Sequence, residues 1–137
     1  MKKLALILFL AVSACSQDSS KSVAPVYTSV AGTWKFQSKS VSGQFTILEV
    51  GNTIWVDNAS GSSITIMGKT YPITSKLQIP ENYPAKLRIQ LSNSKATISL
   101  ASAECNKSFT EMVTSAYDFE SADVPRQTVL EPMKITR

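Results

Sequence analysis

The sequence predicts a mostly β domain, an antiparallel meander of about eight strands closing as a small up-and-down barrel or folding as a sandwich. Three observations carry this. Apolar residues recur with period two in short runs, turn residues stand between the runs, and a new run begins every 8 to 12 residues. No stretch after residue 15 is apolar for the roughly 20 residues that a membrane-crossing helix needs.

Taken in order, Trp34 and Phe36 alternate with Thr33, Lys35 and Gln37, and Phe45 and Ile47 alternate with Gln44 and Thr46. Ile54 and Val56 flank Trp55, and Ile64 and Ile66 alternate with Ser63 and Thr65. Leu77 and Ile79 follow Lys76; Leu87, Ile89 and Leu91 alternate with Lys86, Arg88 and Gln90; Ile98 and Leu100 alternate with Thr97 and Ser99. One face of each run is suited to a core and the other to water. Gly51-Asn52, Asn58-Ala59-Ser60-Gly61, Gly68-Lys69 and Ser92-Asn93-Ser94 supply the positive φ angles and side-chain bonds of tight turns. Pro80-Glu81-Asn82-Tyr83-Pro84 reads as a longer loop linking two halves, because proline cannot donate to a central ladder.

The stretch near residues 108–120 reads equally as helix or strand. Ser108-Phe109-Thr110-Glu111 is a capping box, and Phe109, Met112, Val113, Ala116 and Tyr117 form a stripe at spacings of three and four. Thr110, Val113, Thr114, Tyr117 and Phe119 are good strand formers. Thr128 to Ile135 is the expected last strand, with Pro132 placing it at an edge or bulge.

The N-terminus has a different character. Met1-Lys2-Lys3 precedes an apolar run, Leu4 to Val12, and small residues follow, which is the order of an export signal. Val12-Ser13-Ala14-Cys15 resembles a bacterial lipobox, an aliphatic residue and two small residues ahead of an obligatory cysteine. The resemblance implies residues 1–14 as a lipoprotein signal peptide, a diacylated and often further acylated Cys15 (palmitate being a typical chain), and a membrane as the partner of that lipid. Two acyl chains make such an anchor stable where one is marginal. Ser16 is not the Asp that resembles an inner-membrane retention signal, which points to the outer membrane of a cell envelope. Residues 15–29 then form the lipidated cysteine and a Ser-rich tether, spanning roughly 20 Å as a coil, and residues 30–137 form a single domain.

Loss of residues 1–14 would leave 123 of the 137 residues, with 12 basic against 10 acidic once Lys2 and Lys3 are gone. Basic residues are scattered singly, so there is no electrostatic footprint for nucleic acid. Cys105 is the one cysteine besides Cys15, so lipidation of Cys15 leaves no internal disulfide. A chain without histidine cannot build a Ser-His-Asp or Cys-His arrangement, and zinc would lack its usual nitrogen ligand. Acids such as Glu104, Glu111, Asp118, Glu120 and Asp123 read as a solvated face, the five glycines are not grouped as a phosphate loop, and no cofactor is expected. An enzyme is not expected.

Val30-Ala31-Gly32-Thr33-Trp34-Lys35-Phe36 resembles the G-x-W opening of lipocalins and their calycin relatives, bacterial lipocalin-like lipoproteins included. Gly32 and Trp34 match the motif, and Phe36 follows on the same face. The resemblance implies that Trp34 packs across one end of a barrel beneath a basic residue from a late strand, Arg126 or Arg137. It also implies binding of a small apolar ligand, for which Trp55, Tyr71 and Tyr83 are the candidate contacts. The alternative function is a structural or protein-binding envelope lipoprotein, an assembly accessory or inhibitor, with a filled core. An internal cavity discriminates the two.

Overall fold

The computed structural model describes residues 25–58, 61–80 and 86–137, all of them in strands, turns and loops. Twelve strands form one antiparallel sheet: β1 (Gly32–Gln37), β2 (Val41–Val50), β3 (Thr53–Val56), β4 (Ser63–Ile66), β5 (Lys69–Pro72), β6 (Leu77–Ile79), β7 (Leu87–Asn93), β8 (Ala96–Cys105), β9 (Glu111–Thr114), β10 (Ala116–Ser121), β11 (Gln127–Val129) and β12 (Met133–Thr136).

Eight of these segments are halves of four broken strands. The long strand β2 pairs with β3 through Ile47 to Val50 and with β4 through Val41 to Gln44. In the same way β6 and β5 continue the order beyond β3 and β4. Strands β9 and β10 share β8, and β12 and β11 follow them. The pairing is therefore that of an eight-stranded meander, whose last strand returns to the first where Lys35 and Phe36 pair with Thr136 and Ile135. The sheet is not closed into a barrel. Between β5 or β6 and β7 there is no ladder among the described residues, and contact is made instead by the Thr74 and Ser75 N–H groups donating to the Ser92 carbonyl.

The period-two runs turn inward the face the sequence assigns to them, with Leu77 of β6 only partly buried. Trp34, Phe45, Ile47, Val56, Ile64, Leu91, Ile98 and Leu100 are fully enclosed, and β10 lies against β4 across the interior, so side chains from opposite walls meet and fill the space. Gly43 lets β2 carry β1 on one edge and β4 on the other: the Phe36 ring covers it, and a Cβ there would stand 2.7 Å from that ring and 2.9 Å from the Ser63 carbonyl.

The segment at 108–120 is strand, and the helical reading is corrected. Met112 and Thr114 point inward, then Tyr117 and Phe119 do, so the inward phase slips by one residue at Ser115. That slip imitates the three-and-four spacing of a helix. The same row carries a slip in β8, where burial passes from Leu100 to Ala103 around Ser102 (φ +50°), and a register shift in β7 between Leu87 and Ile89. Together they form a corner at which the sheet turns. The Thr114 hydroxyl sits 2.5 Å from the Ala101 carbonyl and 2.8 Å from that of Ala116, serving acceptors that the interrupted ladder leaves over. The expected capping box is instead a hairpin turn: Asn106 Oδ1 accepts from the N–H groups of Thr110 and Glu111, and Phe109 takes φ +55°.

Strand β5 lies where the sequence reads a turn and Pro72. It is short, and only its Tyr71 faces the core. The expected last strand, Thr128 to Ile135, is broken into β11 and β12 with Pro132 in the gap, and β12 lies between β9 and β1, not at an edge. The loop expected at 80–84 lies, beyond Pro80, outside the described residues, as do Ala59 and Ser60 of one expected turn.

Candidate functional site

One end of the molecule is organised by Arg137, which follows β12. Its guanidinium carbon stands 3.8 Å from the centroid of the Tyr27 ring and 4.6 Å from that of Trp34. Nη1 donates to the carbonyls of Ser29 (2.9 Å) and Phe109 (2.8 Å), and Nη2 donates to that of Ala31. Trp34 adds Nε1 to the Val30 carbonyl at 2.8 Å. A planar fork with donors on both arms suits this geometry, because it gathers carbonyls from two chain segments while its face lies on aromatic rings. Gly32 runs alongside at φ +135°, a backbone that side chains rarely adopt, and a Cβ there would collide with the guanidinium.

Of the two basic residues considered for the place over Trp34, it is Arg137. Arg126 pairs with Asp118 at 2.9 Å on another part of the sheet. Tyr27 and Ser29, counted with the tether in the sequence reading, are held at this end by Arg137. The arrangement fastens the segment ahead of β1 and the β8–β9 turn to the segment after β12. Arg137→Lys should lower stability by about 1 to 3 kcal/mol, since an ammonium cannot serve three carbonyls and two ring faces at once. Urea denaturation of the two proteins measures it; an unchanged midpoint would remove Arg137 from this role.

Of the ligand contacts expected from the sequence, Trp55 and Tyr71 face opposite sides of the sheet. Trp55 is half-buried on the outer face, its Nε1 donating to Thr53 Oγ1 (3.0 Å) and the Lys76 ammonium 5.8 Å above its ring. Tyr71 points the other way, opposite Ile64 in the register, and is only 5% exposed. Its hydroxyl is buried without a hydrogen-bond partner. Tyr83 and Cys15 lie outside the described residues.

Some charged groups on the surface pair. Lys69 meets Asp123 at 3.1 Å, which raises the lysine above its ordinary value, and Lys86–Glu104 and Lys134–Glu111 stand at 3.7 Å. Cys105 is half-buried beside the core; burial pushes its thiol up, and the nearby Arg137 offsets part of that. Among the described residues no three His, Cys, Asp or Glu side chains gather as metal ligands, and no helix is long and apolar enough to cross a membrane.

The concavities lie on outer faces and are open to solvent. The largest described holds about 490 Å³ and crosses β12, β1, β2 and β4, lined by Lys134, Thr136, Lys35, Gln37, Ser42, Gln44, Ser63 and Thr65 above Phe36 and Gly43. A second, of about 320 Å³, is lined by Arg88, Gln90, Ser99, Asp118, Arg126 and Thr128 among others. Sequence reasoning passed over both, because their residues are the polar halves of the alternating runs and meet only across strands. Comparison of the chain with family models and curated proteins, and of its fold with solved structures, gave no match.

Proposed function

We propose that this chain is a lipid-anchored lipoprotein of a bacterial cell envelope, held on the outer membrane through Cys15. Its β domain is non-catalytic and works through its outer surface as a structural or binding accessory. The observation that carries the choice between the two readings is the packing of the interior. Trp34, Phe45 and Ile47 at one level and Ile64, Ile98 and Leu100 at others are each 0% exposed, while the grooves open outward. A cup for an apolar molecule needs a few hundred Å³ of enclosed apolar space.

The anchor reading rests on Val12-Ser13-Ala14-Cys15 and the charged and apolar segments before it. The lipocalin-like reading keeps one supporting observation, the Gly32, Trp34 and Arg137 constellation, and that concerns architecture more than ligand. Mass spectrometry of the native protein is expected to give an N-terminal peptide beginning at Cys15 and carrying a diacylglyceryl mass. A fluorescent fatty acid is expected to stay unbound by the domain. An unacylated N-terminus elsewhere ends the anchor reading, and saturable one-to-one fatty-acid binding restores the cup.

A further inference from the structure

The 490 Å³ groove is lined by amides, hydroxyls and two lysines and by no carboxylate. Residues 32–48 and 61–79, which supply β1, most of β2, β4, β5 and β6, contain Lys35, Lys39, Lys69 and Lys76 and not one Asp or Glu. Two polar rungs cross the sheet at the groove, the second running on beyond it to Thr70. One runs Thr136, Lys35, Gln44, Ser63 through successive register pairs. The other runs Gln37, Ser42, Thr65, Thr70, and Lys134 joins it next to the Phe36–Ile135 pair. Strands about 4.8 Å apart place these groups as a flat array of amides, hydroxyls and two ammonium groups. The groove is floored by the backbone at Phe36 and Gly43, with the buried Phe36 ring on the inner side filling the place where a Gly43 side chain would stand.

We propose that this groove binds an anionic polysaccharide, an extended polyhydroxylated chain bearing carboxylates. Charge complementarity fixes the sign. Lys35 has no acidic partner among the described residues and supplies the groove's unpaired positive charge, while Lys134 is paired at 3.7 Å with Glu111, which stands opposite Thr136 at the groove's edge. The lining fixes the class. A protein partner would call for an apolar centre, but the exposed large hydrophobic residues, Val26, Val50, Met67, Val113 and Leu130, all lie outside the groove. Single-stranded nucleic acid would call for exposed aromatic platforms, and the one aromatic ring here is 4% exposed. Amides and hydroxyls in two rows instead offer both donors and acceptors to sugar hydroxyls, and the ammonium groups take the carboxylates.

This deepens the surface-acting reading above and rests on it for the envelope setting alone, since acylation of Cys15 and binding at the groove are read in separate experiments. The test uses the full mature chain in non-ionic detergent, titrated with polygalacturonate at low and at moderate salt. Binding is expected, with neutral dextran failing to compete. Lys35→Gln with Lys134→Gln should weaken it about tenfold, and Ser42→Ala with Thr65→Val should weaken it several-fold without any change of charge. Lys95→Gln with Lys107→Gln removes the same charge outside the groove and should change the affinity less than about twofold. Circular dichroism confirms that each variant is folded. The proposal is overturned by no binding at low salt, by equal weakening in the two lysine pairs, or by polyglutamate binding as tightly as polygalacturonate.

Discussion

Trp34→Ala is expected to leave the domain largely unfolded, with a loss of about 3 to 5 kcal/mol out of the roughly 5 to 15 kcal/mol that holds a domain of this size together. Three losses coincide at this residue. The ring is 0% exposed at the start of β1, so its removal opens a void in a filled interior. Its Nε1 no longer serves the Val30 carbonyl, which is buried with Val30 itself. Arg137 loses one of the two ring faces over which it lies. Trp55 gives the contrast, for it sits half-buried on the other face, and its hydrogen bond goes to the nearby Thr53 hydroxyl, a part-buried interaction. Trp55→Ala should cost about 1 kcal/mol or less. Chemical denaturation of both variants side by side decides the matter, and a larger loss for Trp55→Ala would show that the inward and outward faces of β1 and β3 have been misread.

Replacing Cys15 by alanine should have the other large effect, this time on location and processing with the domain left folded. On the anchor reading, one thiol carries both the acyl chains and the cleavage that follows them. The variant should incorporate no labelled palmitate, yield no mature-size band, and leave no lipid-held protein in the membrane fraction. Stable attachment needs two chains, so no partial retention through a single acyl group is expected. Labelling of the Cys15→Ala protein equal to that of the wild type would sink the reading.

How far the sequence could be read follows from how local each feature is. Alternation within a run is local, and Trp34, Phe36, Ile54, Val56, Ile64 and Ile66 face inward as their spacing requires. Where the phase slips, local reading fails: the step at Ser115 turned two strands into the likeness of an amphipathic helix. Tyr71 is a candidate ligand contact from its place beside a proline near a strand end, and its inward direction follows only from the pairing of Lys69 to Pro72 with β4. The choice between Arg126 and Arg137 over Trp34 depends on a contact across more than a hundred residues, which no run or motif encodes. The outer groove was hidden for the same reason. Its lysines and hydroxyls come from β12, β1, β2 and β4, and only the register makes them neighbours.

The binding of Tyr27, Ser29 and Ala31 by Arg137 also has a mechanical meaning. Tension in the chain ahead of Tyr27 meets the guanidinium fork first, and past it enters β1 along the strand axis. That strand is clasped by β2 on one side over Gly32 to Gln37 and by β12 on the other. A pull in this direction loads those ladders in shear, where bonds must yield together, and not as a zip that opens one rung at a time. The unladdered seam between β6 and β7 lies on the far side of the sheet, out of the line of force. A domain pulled through the chain ahead of Tyr27 would thus resist at β1, and its rate of forced unfolding would be set by the β1 ladders more than by its overall equilibrium stability.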